Sequence, residues 1–401
     1  MPMNAAATAR DGDTVEIDAG VYPGETASWN ANNLVLRGVS KYACLIAPST
    51  LSNGKAIWVI AGKNTTVENI EFANASVPDR NGAGIRQEGD GLTVRHCYFH
   101  DNENGILGGG GANSQVVIEY SEFSRNGQGD GYSHNLYISN IAGLTFRFCN
   151  THHAKIGHNL KSRANLNHIL YNRILDSADG TASYEVDLPD GGEAYLIGNV
   201  IQQGSNTDNA TMVNYGEESA KNAGRALYVV NNTFVNDHSK GTFVSVRSGI
   251  TARLVNNIFA GPGTMLSGVA GDTASNWIGG DPGFLSRMGY DYRLAGGSAA
   301  ADKGSDPGAI DGFSLAPFFQ YQSNASGVAR NAVGTLDIGA FEYGNGNAVF
   351  GRSRARRTES TPAARVFDLR GRSKGWNKRY GSHQLRIVAD KKTLRAWAEG
   401  L

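Results

Sequence analysis

The chain has 401 residues, of which 52 are glycine and only 18% are charged, and its 37 basic and 37 acidic side chains balance. That length allows one large domain or two ordinary ones, and a glycine-rich, weakly charged composition suits many short strands joined by tight turns. No stretch approaches the ~20 apolar residues of a membrane-spanning helix, so a helical span is excluded.

Met1 to Arg10 contains no apolar signal region. Strand-like alternation begins at Thr14-Val15-Glu16-Ile17, turns at Gly20-Val21-Tyr22-Pro23-Gly24, and resumes at Asn33-Leu34-Val35-Leu36-Arg37-Gly38. From there to about residue 260 a six-residue phrase returns eight times. It reads Val67-Glu68-Asn69-Ile70-Glu71-Phe72, then starts again at Val94, Ile118, Phe146, Ile169, Leu196, Val229 and Leu254. The steps are 27, 24, 28, 23, 27, 33 and 25 residues. A period of that length with alternating apolar residues marks stacked coils. The expected fold is all-β: a single-stranded right-handed parallel β-helix. Its fourth phrase position is Asn172, Asn199, Asn232 and Asn257 in successive coils, which predicts an asparagine ladder.

A second strand precedes each phrase. The series is Gly84-Ile85-Arg86, Gly105-Ile106-Leu107, Asn135-Leu136-Tyr137, Asn159-Leu160-Lys161, Glu185-Val186-Asp187, Met212-Val213-Asn214 and Phe243-Val244-Ser245. The middle residue is apolar throughout, so alternation predicts that its two neighbours face outward in adjacent columns. Gly-rich insertions at 108–115 and 127–133, and the loop 205–209, lengthen individual coils and are expected to border a groove. Cys97 and Cys149 share a phrase position two coils apart. At ~4.8 Å per coil they stand about 10 Å from each other, too far to bridge, and read as small core residues.

Residues 281–343, with Phe318, Phe319 and Phe341, read as an irregular C-terminal cap over the last open coil. Beyond Gly346 the character changes, with 14 basic against 4 acidic residues, which leaves 23 against 33 in the remainder. The chain therefore divides into a β-helix domain over 10–345 and a basic, disordered tail over 346–401, with a short helix possible near Lys391 to Ala398. The cluster Arg352-Ser353-Arg354-Ala355-Arg356-Arg357 reads as a solvated tail or an out-of-frame extension; the functional alternative is an anchor for anionic polymer or nucleic acid.

The opening Gly12-Asp13-Thr14-Val15-Glu16-Ile17, the coil Asn231-Asn232-Thr233-Phe234 and the ending Asp337-Ile338-Gly339-Ala340-Phe341 resemble the pectin-lyase-like superfamily of right-handed β-helices over residues 10–345. That superfamily includes polysaccharide lyases, glycoside hydrolases, esterases, epimerases and phage receptor-binding proteins, so fold alone leaves the chemistry open. Gly157-His158-Asn159-Leu160-Lys161-Ser162-Arg163 and Asn172-Arg173-Ile174 are similar to the lysine-bearing coil of chondroitinase B and related alginate lyases. The resemblance implies a catalytic base at Lys161 beside Ser162. It departs at the family's acidic calcium ligands, where Ile156, Gly157 and His158 stand, and at the family's next-coil arginine, where Asp187 stands. It also implies a secreted or periplasmic protein, most simply a monomer, acting on an acidic polysaccharide, with no nucleic acid expected on the β-helix.

The expected outward columns gather reactive groups at mid-solenoid. One runs Asn135, Asn159, Glu185; its neighbour runs Tyr137, Lys161, Asp187, Asn214; Arg163 and Arg247 lie two residues farther along. A lyase acting on a uronate needs a base and a cationic clamp for the developing enolate. The candidate catalytic groups are Lys161, Arg163, Tyr137, His134 and His158, with Asn135, Asn159, Asn214 and Arg247 for substrate binding. Glu185, Asp187 and Asn159 offer oxygen ligands for calcium. Against this stands a plain salt-bridge ladder of Lys161 with Glu185 and Asp187, and inward-pointing histidines. Tyr184 reads as core, and Asp190 and Glu193 as turn residues. Two alternatives compete with the lyase. One is a glycoside hydrolase using Glu185 and Asp187, with Asp208 nearby. The other is a non-enzymatic glycan binder of surface or phage type, which the scarcity of outward aromatics beyond Tyr137 and Phe243 disfavours.

Overall fold

The computed structural model describes residues 1–345 and 385–388. The basic cluster 352–357 and the helix expected near Lys391 to Ala398 lie outside the described residues. Leu385–Val388 pairs antiparallel with the first strand at Thr14–Ile17.

Strand follows strand in parallel register to build a solenoid with three walls. The first two walls meet inside each phrase. Leu166–Leu170 lies in the first wall and Arg173–Leu175 in the second, and each pairs in parallel with its counterparts one coil before and after. The third wall is a separate sheet of ten strands, running from Ala27–Trp29 to Thr264–Ser267. The inward residues stack as like on like. Phe72, Phe99 and Phe123 lie 4.9 Å apart in parallel, and Phe234 stacks on Phe259 at 5.0 Å. Cys97 and Cys149 are buried, free thiols in this core, as expected.

The bend between the first two walls rests on one backbone trick. The third phrase residue adopts a left-handed conformation in every coil: Asn69, His96, Tyr120, Phe148, Tyr171, Gly198, Asn231 and Asn256 have φ between 51° and 67°. Non-glycine residues resist this by ~1–2 kcal/mol each. Where the residue is aromatic, stacking offsets the cost: Tyr120, Phe148 and Tyr171 follow one another at 5.2 and 5.5 Å. The next residue points inward, and here the expected ladder stands. Asn172 Nδ2 donates to Asn199 Oδ1 (3.0 Å), Asn199 to Asn232 (2.9 Å), Asn232 to Asn257 (3.0 Å) and Asn257 to Asn276 (3.0 Å). Each Oδ1 also accepts the backbone N–H of the coil before it. The amides thereby satisfy peptide groups that the bend has removed from the sheet.

A second ladder, not expected from the sequence, fills the corner between the second and third walls. Asn102 Nδ2 donates to Asn126 (2.9 Å), Asn126 to Asn135 (2.9 Å), Asn135 to Asn159 (2.8 Å), and Asn159 to Glu185 Oε2 (2.7 Å). This corrects the expected outward column. Asn135, Asn159 and Glu185 are buried, as are Met212 and Phe243 in later coils. The third-wall strands begin one residue later, at Leu136, Leu160 and Val186. The residue before each strand still belongs to the bend, so alternation does not apply to it and its Cβ points into the corner. In the two preceding coils the same column is glycine, Gly84 and Gly105. A Cβ at Gly84 would stand 2.9 Å from the Phe99 ring, and one at Gly105 would stand 2.3 Å from the Asn135 carbonyl.

The closing segment also departs from expectation. It runs back along the outside of the first two walls and does not sit over the last coil. Phe284, Tyr292, Leu294, Ile338 and Phe341 cover the outward Leu175, Val200, Val235 and Ile258. Leu315 covers Phe148, Tyr171 and Val230. Apolar residues on both faces of these later strands demand such a cover. Arg330, fully buried, pins the return by pairing with Glu342 at 3.0 Å and donating to the Gly339 carbonyl.

Two stability effects follow. Asn199→Ala strips acceptor or donor partners from Asn172 N–H, Asn172 Nδ2 and the Ile169 carbonyl. It should cost about 3–5 kcal/mol, and Asn276→Ala, at the open and part-exposed end, about 1 kcal/mol, both read from denaturant midpoints. Glu185 is enclosed, its Oε1 has no partner, and burial together with nearby Asp176 raises its pKa well above the usual carboxylate range. A raised acid stabilises the fold below its unfolded pKa and loses that contribution as pH climbs towards the folded value. Glu185→Gln should therefore melt close to wild type near pH 4 and above it at pH 8. The gap should widen by up to about 1.4 kcal/mol per pH unit between those limits. Equal melting temperatures at pH 8 would contradict a buried, protonated Glu185.

Candidate functional site

The third wall carries the one column of the sequence reading that does face outward. Tyr137, Lys161, Asp187 and Asn214 are direct register partners on successive coils. Their strands are three to five residues long, so each side chain is fixed by the coils above and below it.

Lys161 Nζ lies 2.8 Å from Asp187 Oδ2 and 3.0 Å from Glu218 Oε1. Asp187 is almost fully buried; Asn214 Nδ2 donates to its other oxygen at 2.8 Å, and His158 Nε2 approaches at 3.4 Å. Burial alone would lower the Lys161 pKa, but the Asp187 and Glu218 carboxylates outweigh it and lift the pKa above the ordinary lysine value. Lys161 is therefore held as a cation.

Arg163 is the second cation. Its Nη1 binds Asp190 Oδ1 at 2.7 Å, its Nη2 binds Glu218 Oε2 at 2.5 Å, and its Nε donates to Tyr137 Oη at 3.1 Å. Asp190 is wholly buried and also accepts from Ser219 Oγ at 2.6 Å. Burial would raise the Glu218 pKa, but Arg163 and Lys161 outweigh it and hold it low. Glu218 is thus ionised, with one oxygen on each cation.

The histidines form a third group at the head of the column. Their rings stack at 4.5 Å, with Tyr137 edge-on to His134 at 5.8 Å. Gly157 permits this closeness, since a Cβ there would stand 1.8 Å from the Ser133 carbonyl. His134 Nδ1 accepts the His158 backbone N–H, and His158 Nδ1 accepts that of Tyr184. Burial, each other's proximity and Lys161 push His134 well below its usual pKa; burial and Lys161 push His158 down to about 3. Neutral rings that accept through Nδ1 must carry their proton on Nε2. Both are placed as hydrogen-bond donors and cannot accept a proton at Nε2.

The structure brings Tyr137, Lys161, Arg163, Asp187, Asn214, His134 and His158 together. It leaves out Asn135 and Asn159, whose amides are spent in the corner ladder. Arg247 donates to the Gly216 carbonyl at 3.3 Å and so braces the loop that carries Glu218; no described contact joins it to Lys161 or Arg163. Glu185 faces the interior corner while Asp187 stays on the outer face, so the two carboxyls do not share a substrate or an ion. A calcium built on Glu185, Asp187 and Asn159 does not fit. Glu185 is enclosed in the corner and bonded to Asn159, with burial and Asp176 raising its pKa, and both oxygens of Asp187 are engaged. Tyr184, expected in the core, is half-buried with its ring 5.0 Å from His158.

Glu218 and Asp190 are the partners that sequence reasoning passed over. Asp190 read as a turn residue beside Gly191-Gly192, and it is one, but its carboxylate turns into the site. Glu218 sits in the insertion that makes the Leu196-to-Val229 step the longest, 33 residues. Loop length was the available signal. The loop is anchored by Glu218 N–H and Ser219 N–H on the Pro189 carbonyl (3.2 Å each) and by Asn222 on Asp190. A separate cavity of about 440 Å³, lined by Arg173, Asp291 and Tyr292 among others, lies between the second wall and the closing segment, and none of these site residues lines it.

A family model described as "Right handed beta helix region" matches residues 26–214. No curated protein matches the sequence. Among solved structures, pectate lyase Pel9A aligns with a TM-score of 0.52 at 14% identity, covering 84% of this chain and 90% of that one. An alginate lyase from Paenibacillus sp. strain FPU-7 aligns with a TM-score of 0.41 at 12% identity, covering 68% and 94%. A PL6 family alginate lyase aligns with a TM-score of 0.32 at 13% identity, covering 90% and 58%. At such identities the likeness concerns the fold, and by fold this chain is a right-handed parallel β-helix.

Proposed function

We propose that the protein is a polysaccharide lyase that cleaves a uronate-containing glycan by β-elimination, outside the cytoplasm, on its third wall. The observation that supports this reading is the pair of cations, Lys161 and Arg163, bridged by Glu218 at one point of an extended wall, with the Tyr137 hydroxyl bonded to Arg163. β-Elimination removes the proton on the carbon beside the carboxylate and expels the oxygen on the next carbon. Charge builds on the carboxylate as the proton leaves, and a fixed guanidinium lowers that barrier. Arg163 is that group.

Lys161, in its neutral form, takes the proton on Nζ. The bond electrons become the new C=C, the glycosidic C–O bond breaks, and the leaving oxygen takes the Tyr137 hydroxyl proton. His134 and His158, as Nε2–H donors, position the sugar. Since Asp187 and Glu218 hold Lys161 protonated, the base form is scarce at neutral pH, and the rate should rise towards alkaline pH.

The test is ultraviolet absorbance during incubation with a panel of uronate polymers, with calcium and with a chelator. Wild type should generate unsaturated uronate. Lys161→Ala should lose about 10²–10⁴-fold in rate, and Lys161→Arg should not recover it, because arginine does not deprotonate. Asp187→Asn removes a carboxylate that raises the Lys161 pKa, so the rising limb of its pH profile should move to lower pH. An unmoved limb would take the base role from Lys161. Reducing ends without new absorbance would mean hydrolysis, and binding without any product would mean a glycan-binding protein.

A further inference from the structure

Glu218 is the only carboxylate among the described residues that touches both site cations, and it differs in kind from their other partners. Asp187 and Asp190 have 2% and 0% of their side chains exposed, whereas Glu218 has 47%. The buried pair are permanent counter-ions, because separating either from its cation would leave a charge uncompensated in a dry site. Glu218 reaches the cations from the solvent side, where ion pairs are weak and exchangeable. It places one oxygen on Lys161 Nζ and the other on Arg163 Nη2, as an incoming carboxylate would. Its loop is fastened through backbone bonds to Pro189 and through Ser219 and Asn222 to Asp190, so the side chain can swing out while the loop stays.

We propose that Lys161 and Arg163 form a carboxylate-binding subsite that the chain fills with its own Glu218 until a uronate residue displaces it. This rests on the reading of the third wall as a uronate site and adds how that site is occupied and opened. Glu218 thereby sets specificity. A neutral sugar gains nothing that offsets the loss of the internal ion pairs, whereas a uronate restores both. The displacement also sets the carbon beside the sugar carboxylate next to Lys161 Nζ.

The test is titration of wild type, Glu218→Gln, Glu218→Ala and Glu217→Gln with galacturonate and mannuronate, and with galactose and mannose, by calorimetry. Glu217 is the control. It lies one residue away, is likewise a glutamate, and among the described residues accepts from Ser245 Oγ at 3.3 Å rather than from either site cation. Weakening the internal competitor should tighten uronate binding about tenfold in both Glu218 variants, equivalent to about 1.4 kcal/mol. Glu217→Gln should stay within about twofold of wild type, and the neutral sugars should bind no better to any variant. The exposed position of Glu218 predicts unchanged melting, which confirms that both variants are folded. Equal affinity in Glu217→Gln and Glu218→Gln, or equal tightening for neutral sugars, would overturn the proposal. So would the absence of uronate binding in all four proteins. Tighter uronate binding in the Glu218 variants without unsaturated product from wild type would preserve the subsite and discard the elimination.

Discussion

Everything on the third wall depends on stacking in register, and register depends on amide groups that only a neighbouring coil can satisfy. At each bend the backbone leaves the sheet and exposes peptide groups inside the protein, where an unpaired donor or acceptor costs about 1–3 kcal/mol. Asn172, Asn199, Asn232 and Asn257 meet that demand by bonding across coils. A slip of one residue would break every rung at once. The aromatic stacks tolerate small displacements because dispersion is non-directional; the amide ladder does not. It therefore fixes which residue of one coil faces which residue of the next, and so places Lys161 between Tyr137 and Asp187.

The corner ladder does the same work closer to the site. It runs from Asn102 to Glu185 and ends there, because Glu185 accepts from Asn159 and the following residue in the column is the apolar Met212. A carboxyl at that point accepts the last amide donor of the chain, and its burial raises its pKa. The strand leaving this corner then delivers Asp187 to the outer face two residues later. The inner and outer carboxyls thus lie two residues apart on opposite faces. Burial and Asp176 raise the pKa of Glu185, and burial also raises that of Asp187, where Lys161 and Asn214 work against it.

The repeat, the stacked-coil solenoid, the first ladder and the outward column of Tyr137, Lys161, Asp187 and Asn214 were legible in the sequence because they follow from periodicity. What periodicity could not reveal lay where the chain is not a strand. Asn135, Asn159 and Glu185 sit one residue before their strands, and a rule of alternation extended by one position turns them outward when they point in. The course of residues 281–343 is set by apolar residues on the outward face of the second wall, such as Val200, Val235 and Ile258. Glu218 escaped because its loop has no counterpart in other coils, so no column contained it.

Loops of that kind are where a solenoid can acquire chemistry without risking its fold. Coil residues answer to two neighbours, and a changed side chain disturbs both. The insertion after Tyr215 has no counterpart stacked in other coils, and it is held through Pro189, Asp190 and Arg163 on one side and Ser245 and Arg247 on the other. Its consequence is nonetheless large, since it lays a carboxylate across two cations that the coils have already fixed. Lys161 and Arg163 need Asp187 and Asp190 to exist as charges in so buried a wall, and those partners leave each cation with hydrogen-bonding capacity facing solvent. A free cationic pair would bind any anion that reached it. With Glu218 in place, an arriving group must match a carboxylate in charge and in the spacing of its oxygens, and it must be held by the rest of the wall to prevail. The loop thus converts a non-selective positive patch into one that favours a carboxylate presented on a polymer.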